Sequence, residues 1–313
     1  MCRNIVELLR KQVVDKLFDT PGFNGAWSTW RTRINTLAPN LSNRQVFDLG
    51  DHLSEIFFTT NTDTTRSQSA VSGGGANWEG LVCWYLNLCL IGRRTVVIKH
   101  NKNHIPAPVS DAITVTYGTT RSNTESDLIA ITFPDLPEYT GDKDNIDITD
   151  NHNIQIPLRR NGRVYNLLNV LNGLCTRDFN DLEIHIIQCK TNWNDNAQIP
   201  MLWDAVYSAS AFRTGITVGV NGYSIIDVNR FTYSFVTVPS NTRASYTPTS
   251  TAVLRVRNIS GGNFWGKPSE QGVANSIKEM LAINLRTGHL DSHITSLQRE
   301  LPNIHTEYSY FNI

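Results

Sequence analysis

The spacing of apolar residues predicts a helical N-terminal part of the chain. Residues 4–17 and 43–58 carry apolar side chains at helical spacing, so each segment is expected to form a helix. Residues 59–76 are almost all small or polar, which predicts a mobile loop. Asn77 then fits the N-cap of a helix over residues 77–90, whose apolar residues lie on most sides, as in a buried helix.

The rest of the chain alternates between strand and helix patterns. Runs of β-branched and apolar residues predict strands over 95–99, 127–133, 182–190, 216–220, 231–238 and 250–257. Helical spacing marks 199–212 and 271–285, whereas 135–153 is acidic and turn-rich and is expected to be an excursion from the core. These elements predict an α/β fold of the α+β type, with a central mixed β-sheet flanked by helices. We divide the chain into an N-terminal helical region with a polar loop (1–76), a core (77–240) and a C-terminal strand-loop-helix region (241–313).

Composition and charge narrow the classes of function. The chain of 313 residues has 28 Lys and Arg against 28 Asp and Glu, which excludes a general polycation but allows a locally basic groove. Apolar runs fall short of the roughly 20 residues of a membrane span, so no membrane partner is expected. Charged residues interrupt residues 1–19, unlike a signal peptide, and we expect a cytoplasmic protein. The five cysteines include no CxxC pair, which argues for reduced thiols rather than a disulfide framework or a zinc site.

Polar side chains at the ends of two predicted strands are the candidates for chemistry. Asp127 opens strand 127–133 and shares a face with Ile129 and Ile131. Gln188 and Lys190 are two positions apart, so both project from one face of strand 182–190. Polar groups on an apolar strand face cost free energy unless they find partners. The alternative is that the strand emerges into solvent at this point.

This arrangement resembles the PD-(D/E)XK nuclease superfamily, and within it the type II restriction endonucleases. The resemblance covers residues 77–238 and a core of helix, three strands, helix and strand. It rests on these residues: Ser126-Asp127, then Gln188-Cys189-Lys190, with Glu79 on the preceding helix. Two departures exist. Gln188 stands where most members have Asp or Glu, which lowers the expected metal affinity, and the long interval before it requires an insertion after Phe133.

The resemblance implies a Mg²⁺-dependent, site-specific endodeoxyribonuclease that hydrolyses double-stranded DNA. In that scheme Asp127 is the anionic metal ligand, and the Gln188 amide oxygen and the Cys189 carbonyl complete the protein ligands. Lys190 positions or helps to deprotonate the attacking water, and Glu79 reaches the metal through water. A palindromic site further implies a homodimer. The chain lacks a P-loop motif, so no nucleotide cofactor is expected.

Each of these residues also has a structural interpretation. Asp127 could cap the start of its strand, Lys190 could be a surface lysine, and Glu79 could favour a helix N-terminus through the macrodipole. Glu125 could replace Asp127 as the metal ligand if the strand register differs.

Arginine, lysine and asparagine side chains are candidates for DNA contacts in the loops at 119–124 and 191–196, beside the motif, and in the strand and Gly-rich loop of 254–268, because these groups bind phosphates and base edges. These candidates are Arg121, Asn123, Asn192, Asn194, Arg255, Arg257, Asn258, Asn263 and Lys267. For the Gly-rich segment 258–267 a plain β-turn is the alternative.

Two other functions stay open. One is a structure-specific repair or phage-defence nuclease, and the other is a DNA-binding protein that kept a nuclease fold but lost its activity. Motifs of serine hydrolases, zinc proteases and dinucleotide-binding enzymes are missing from the sequence. His100 and His104 are four positions apart, but they fall where a strand leads into a loop, so this spacing does not place them on one helix face.

Overall fold

A computed structural model of the protein describes residues 4–60, 68–123, 126–150, 152–191, 216–237, 249, 276–285 and 290–313. The N-terminal part is helical, as predicted. Its helices are α1 (Ile5–Phe18), α2 (Pro21–Leu37), α3 (Asn43–Asp48), α4 (Leu53–Phe58) and α5 (Gln68–Cys89). Helix α1 confirms the prediction for 4–17, whereas α2 was not predicted.

The segment 43–58 is not one continuous helix. A 3₁₀ turn at Leu49–Asp51 separates α3 from α4. Gly50 lies in this turn, and a Cβ atom there would collide with the Tyr85 hydroxyl group and with the backbone of Lys278. The close approach of other elements therefore requires glycine here, and glycine weakens helix formation.

Helix α5 corrects the predicted loop and its N-cap. The helix begins at Gln68, so part of the polar stretch 59–76 is helical and Asn77 lies inside the helix. Extending an existing helix costs less than nucleating one, and the apolar turns from Trp78 onward are buried against α2 and α4. Packing thus overrides the poor helix propensity of the glycines at 73–75.

Among the described residues, the central sheet has four strands in the order β1-β4-β7-β9. Its strands are β1 (Thr95–Lys99), β4 (Leu128–Thr132), β7 (Glu183–Lys190) and β9 (Arg230–Thr237). The pairs β1–β4 and β4–β7 are antiparallel, whereas β7–β9 is parallel. A mixed sheet flanked by helices confirms the predicted fold class. The helix predicted at 199–212 and the strand predicted at 250–257 lie outside the described residues.

Smaller elements lie beside this sheet. Helix α6 (Ala107–Ile113) precedes a second sheet of order β3-β2-β8, and a separate hairpin pairs β5 with β6. These strands are β2 (Val115–Tyr117), β3 (Thr120–Ser122), β5 (Arg159–Arg160), β6 (Val164–Tyr165) and β8 (Ile216–Val218). The predicted strand at 216–220 is thus present, but it does not belong to the central sheet.

The excursion between β4 and β7 is more regular than the sequence suggested. It contains α7 (Pro137–Thr140), a 3₁₀ turn at Lys143–Asn145, the β5–β6 hairpin and α8 (Leu167–Arg177). Helix α8 buries four apolar side chains at helical spacing, namely Leu167, Val170, Leu171 and Leu174.

The C-terminal part packs against the N-terminal helices. Within 271–285, helix α9 covers Ile277–Asn284, and α10 (His293–Glu300) follows it without having been predicted. Near the last residue, the indole of Trp84 donates a 3.1 Å hydrogen bond to the Phe311 carbonyl. One hydrophobic core draws side chains from all three predicted regions. Among the described helices, none combines the length and apolarity needed to cross a bilayer.

Buried polar side chains cover the outer edge of β1. The amide of Asn87 bonds both the N–H and the carbonyl of Val97, and the guanidinium of Arg10 donates to the Thr95 carbonyl and pairs with Glu7. Unpaired strand edges invite association with other chains, so this cover protects the sheet.

Candidate active site

Four strand ends meet at one end of the central sheet, and three of them carry charged side chains. Lys99 is the last residue of β1, Asp127 directly precedes β4, and Lys190 is the last residue of β7. Strand β4 is antiparallel to both neighbours, and Leu128 lies opposite both Lys99 and Ile187. The start of β4 therefore lies beside the ends of β1 and β7.

The structure brings Asp127 and Lys190 together. Asp127 Oδ2 accepts a 2.7 Å hydrogen bond from the Cys189 backbone N–H and lies 3.3 Å from Lys190 Nζ. The Asp127 and Lys190 side chains are 17% and 21% exposed, so the ion pair is only partly open to solvent. Asp127 thus binds the end of β7 rather than capping its own strand.

The Cys189 carbonyl points toward the same side of β7 as Asp127. On one strand residue, the N–H and the C=O of the backbone face the same neighbour. Because the Cys189 N–H donates to Asp127, the Cys189 carbonyl also faces β4. The Cys189 thiol is buried, and burial raises its pKa well above the ordinary value, so it remains protonated. The main chain, rather than the thiol, is the group that fits a site here.

Gln188 is buried rather than solvent-facing. Its side chain is 3% exposed, and its amide oxygen accepts a hydrogen bond from the Tyr233 hydroxyl group on β9. Emergence of the strand into solvent is therefore wrong for this residue. An amide oxygen has two lone pairs, so this bond leaves one for a further partner. Tyr233 was not predicted, since alternation within one strand does not reveal which strand lies beside it.

Glu79 forms a second ion pair beside the first. It lies well inside α5, which removes the interpretation based on a helix N-terminus. Its Oε2 is 3.2 Å from Lys99 Nζ, and Lys99 also donates a 2.8 Å hydrogen bond to the Ala76 carbonyl. Burial raises the pKa of the Glu79 carboxyl and the charge of Asp127 adds to the rise, whereas Lys99 and Lys190 lower it. Lys99 was also missed, although it ends a β-branched strand as Lys190 does.

The two ion pairs lie on opposite faces at this end of the sheet. Lys99 is opposite Leu128, which is opposite Ile187, so Lys99 shares the face of Ile187 and Cys189. Asp127 precedes Leu128 by one position, and Lys190 follows Cys189 by one position. Both therefore belong to the other face.

His100 and Ser126 flank the site. The His100 backbone N–H donates to the Asp127 carbonyl at 3.1 Å, and His100 Nδ1 is 3.3 Å from Ser126 Oγ. Burial lowers the pKa of His100, and the charge of Asp127 opposes this shift. These contacts hold the segment that carries Asp127 against the end of β1.

The structure describes two of the candidate DNA contacts. Arg121 is exposed on β3, whereas the Asn123 amide donates a 2.8 Å hydrogen bond to Ser110 Oγ and so anchors its loop to α6. Several predicted residues lie outside the described part of the chain: Glu125, Asn192, Asn194, Arg255, Arg257, Asn258, Asn263 and Lys267.

The donor set has two carboxylates, Asp127 and Glu79, together with amide and main-chain oxygens. Within the described residues, no group of three or more His, Cys, Asp or Glu side chains is arranged to hold a metal ion. A cation at this position would therefore need the Cys189 carbonyl, the Gln188 oxygen and water as additional ligands. These are hard oxygen donors, which fit Mg²⁺ better than softer transition metals.

Comparison with known proteins does not assign a family. No protein-family model matches the chain, and no curated protein shows significant similarity to it.

Proposed function

We propose that the protein is a Mg²⁺-dependent endodeoxyribonuclease that hydrolyses phosphodiester bonds at specific sites in double-stranded DNA. The observation that carries this proposal is the 3.3 Å pairing of Asp127 with Lys190, residues 63 positions apart in the sequence. A carboxylate and a lysine at paired strand ends, with the Glu79 carboxylate nearby, match the charges that phosphodiester hydrolysis requires.

The order of elements also supports the proposal. Along the chain, α5 is followed by β1, β4 and β7 of the central sheet, and then by β9, which is parallel to β7. A parallel connection needs a crossover, which the helix predicted at 199–212 would supply. The described elements are compatible with the first helix, the three strands and the last strand of the resemblance, with two minor strands inserted before β4 and a longer excursion after it, while the second helix lies outside the described residues.

Each residue has a role that follows from its contacts. Asp127 is held by the Cys189 N–H and offers a fixed carboxylate as a ligand, while Tyr233 fixes the amide of Gln188. When bound, Mg²⁺ supplies charge neutralisation at the phosphate and lowers the pKa of water. Lys190 orients the attacking water and stabilises negative charge on the phosphate. Glu79 contributes through water on the other face.

The remaining parts of the proposal concern partners and location. We propose that the protein acts as a homodimer on duplex DNA in the cytoplasm, because two-fold symmetry matches a palindromic site. Arg121 is exposed and is the described side chain best suited to contact a backbone phosphate.

A second candidate function is a DNA-binding protein with an inactive nuclease fold. The neutral Gln188, with its oxygen already bonded to Tyr233, favours it because a carboxylate would bind a cation more strongly. A structure-specific nuclease is the third possibility.

The test incubates purified protein and its Lys190→Ala variant with unmethylated phage DNA, with and without Mg²⁺. Discrete fragments that require both Mg²⁺ and Lys190 are the expected result, and sequencing their ends gives the site. Lys278→Ala is the matched control, since Lys278 pairs with Asp48 and Asp51 away from the site. Duplex DNA that stays intact with every divalent metal contradicts the proposal. Cleavage of branched DNA would then indicate the structure-specific nuclease, and binding of DNA without cleavage would indicate the inactive DNA-binding protein.

A further inference from the structure

Lys99 is held in a defined position at the end of the sheet. Its ammonium group contacts two acceptors on α5, the Glu79 carboxylate at 3.2 Å and the Ala76 carbonyl at 2.8 Å. The Lys99 side chain is 28% exposed and that of Glu79 is 23% exposed, so solvent only partly screens the pair. A freely solvated lysine would not need a helix carbonyl as a second acceptor.

The four charged side chains of the two ion pairs carry no net charge. Asp127 and Glu79 carry the negative charges, and Lys190 and Lys99 carry the positive ones. A divalent cation adds two positive charges to this group. A cation held at Asp127 can draw on the charge of Glu79 through water, and the ion pair with Lys99 neutralises that same carboxylate.

We propose that Lys99 is a positioning residue that holds Glu79 by its ion pair and thereby weakens the binding of a divalent cation at the Asp127 site. This inference rests on the proposed function for the existence of the metal site. It assigns to Lys99 the role of setting metal affinity, so that the site stays charge-balanced without metal and binds it only at higher concentration.

The test is a double-mutant cycle on metal affinity, with no DNA present. Free Mn²⁺, a hard-ligand probe for the Mg²⁺ site, is measured by electron paramagnetic resonance in the wild type, Lys99→Met, Glu79→Gln and the double variant. Methionine keeps most of the length of lysine but removes its charge. Lys99→Met is expected to bind Mn²⁺ roughly fivefold more tightly, equivalent to about 1 kcal/mol. In the Glu79→Gln background the same change is expected to have little effect, because Lys99 acts through Glu79.

Controls separate this effect from a general change in charge or folding. Lys99→Arg restores a cation and is expected to return the affinity toward wild type, and Lys278→Met is expected to leave it unchanged. Should Lys99→Met fail to fold in a thermal unfolding experiment, Lys99→Gln replaces it in the cycle.

Three outcomes overturn the inference: an unchanged or weaker affinity in Lys99→Met, an equal gain in the Glu79→Gln background, and no Mn²⁺ binding by any variant. The proposed function is judged separately. Protein that binds Mn²⁺ with the expected ranking but never cuts DNA contradicts the nuclease proposal alone, while DNA cleavage with an unaltered ranking contradicts only the role of Lys99.

Discussion

Replacement of Lys190 by methionine should separate catalysis from stability. The ion pair between Lys190 Nζ and Asp127 Oδ2 spans 3.3 Å, with both side chains about one-fifth exposed. A partly exposed pair of this kind contributes up to about 1 kcal/mol, and methionine retains the apolar packing of the lysine stem. We therefore expect the free energy of unfolding to fall by about 1 kcal/mol, with a loss of roughly 1–2 °C in melting temperature.

The expected loss of activity is far larger. A lysine that orients water and stabilises phosphate charge contributes roughly 100-fold or more to the rate. The assay pairs urea unfolding with single-turnover cleavage of a plasmid. Lys278→Met is the matched control, because Lys278 is similarly exposed and also paired with carboxylates, and it should keep full activity. A stability loss above about 3 kcal/mol would mark Lys190 as mainly structural. Activity within tenfold of the wild type would refute its catalytic role.

Three further predictions concern single side chains. Asp127→Asn should lose most Mn²⁺ affinity and about 1–2 kcal/mol of unfolding free energy, because the Cys189 N–H loses a charged acceptor; unchanged affinity in a metal titration would contradict this. Arg10→Met should cost about 3–5 kcal/mol in urea unfolding, since it leaves the buried Glu7 carboxylate without its cation; a loss below about 1 kcal/mol would contradict it. Burial lowers the pKa of His185 below 6.5, so the unfolded chain takes up a proton first and the free energy of unfolding should fall as pH drops below about 6.5. His185→Gln should flatten this slope in pH-dependent urea unfolding, and an unchanged slope would assign the effect to other groups.

The strands of the central sheet were predictable because β-branched and apolar residues recur along each of them, and β1 and β4 are nearly continuous apolar runs. The segment 95–99 matches β1 residue for residue, and 182–190 differs from β7 only at its first position. A continuous apolar run can be recognised as a strand from the sequence alone, since a strand buried on both faces needs apolar residues throughout. Pairing could not be predicted, and the strand at 216–218 turned out to belong to another sheet.

Helices stabilised by packing were harder to find. Helix α2 contains Thr, Asn and Gly residues with weak helix propensity, and it forms because Phe23, Trp27 and Trp30 pack against α5 and one another. The start of α5 was hidden in the same way by its glycines. Local propensity describes an isolated segment, whereas these helices depend on partners that come from distant parts of the chain.

The candidate site, too, could be predicted only in part from the sequence. The polar positions Asp127, Gln188 and Lys190 could be found because they interrupt apolar strands, and the contact between Asp127 and Lys190 agrees with their predicted proximity. Tyr233 and Lys99 could not be found, because their roles depend on which strand and helix lie beside them. The sequence of one chain does not show which strands and helices become neighbours in the fold.

The excursion between β4 and β7 has a consequence for protein synthesis. Glu79, Lys99 and Asp127 lie before it in the chain, whereas Gln188 and Lys190 follow it. A growing chain on the ribosome therefore carries the acidic half of the site long before its lysine partner and the Cys189 N–H that fixes Asp127. Under the proposed function, unfinished or prematurely terminated chains could not cut DNA. A complete active site would exist in the producing cell only on chains synthesised beyond β7.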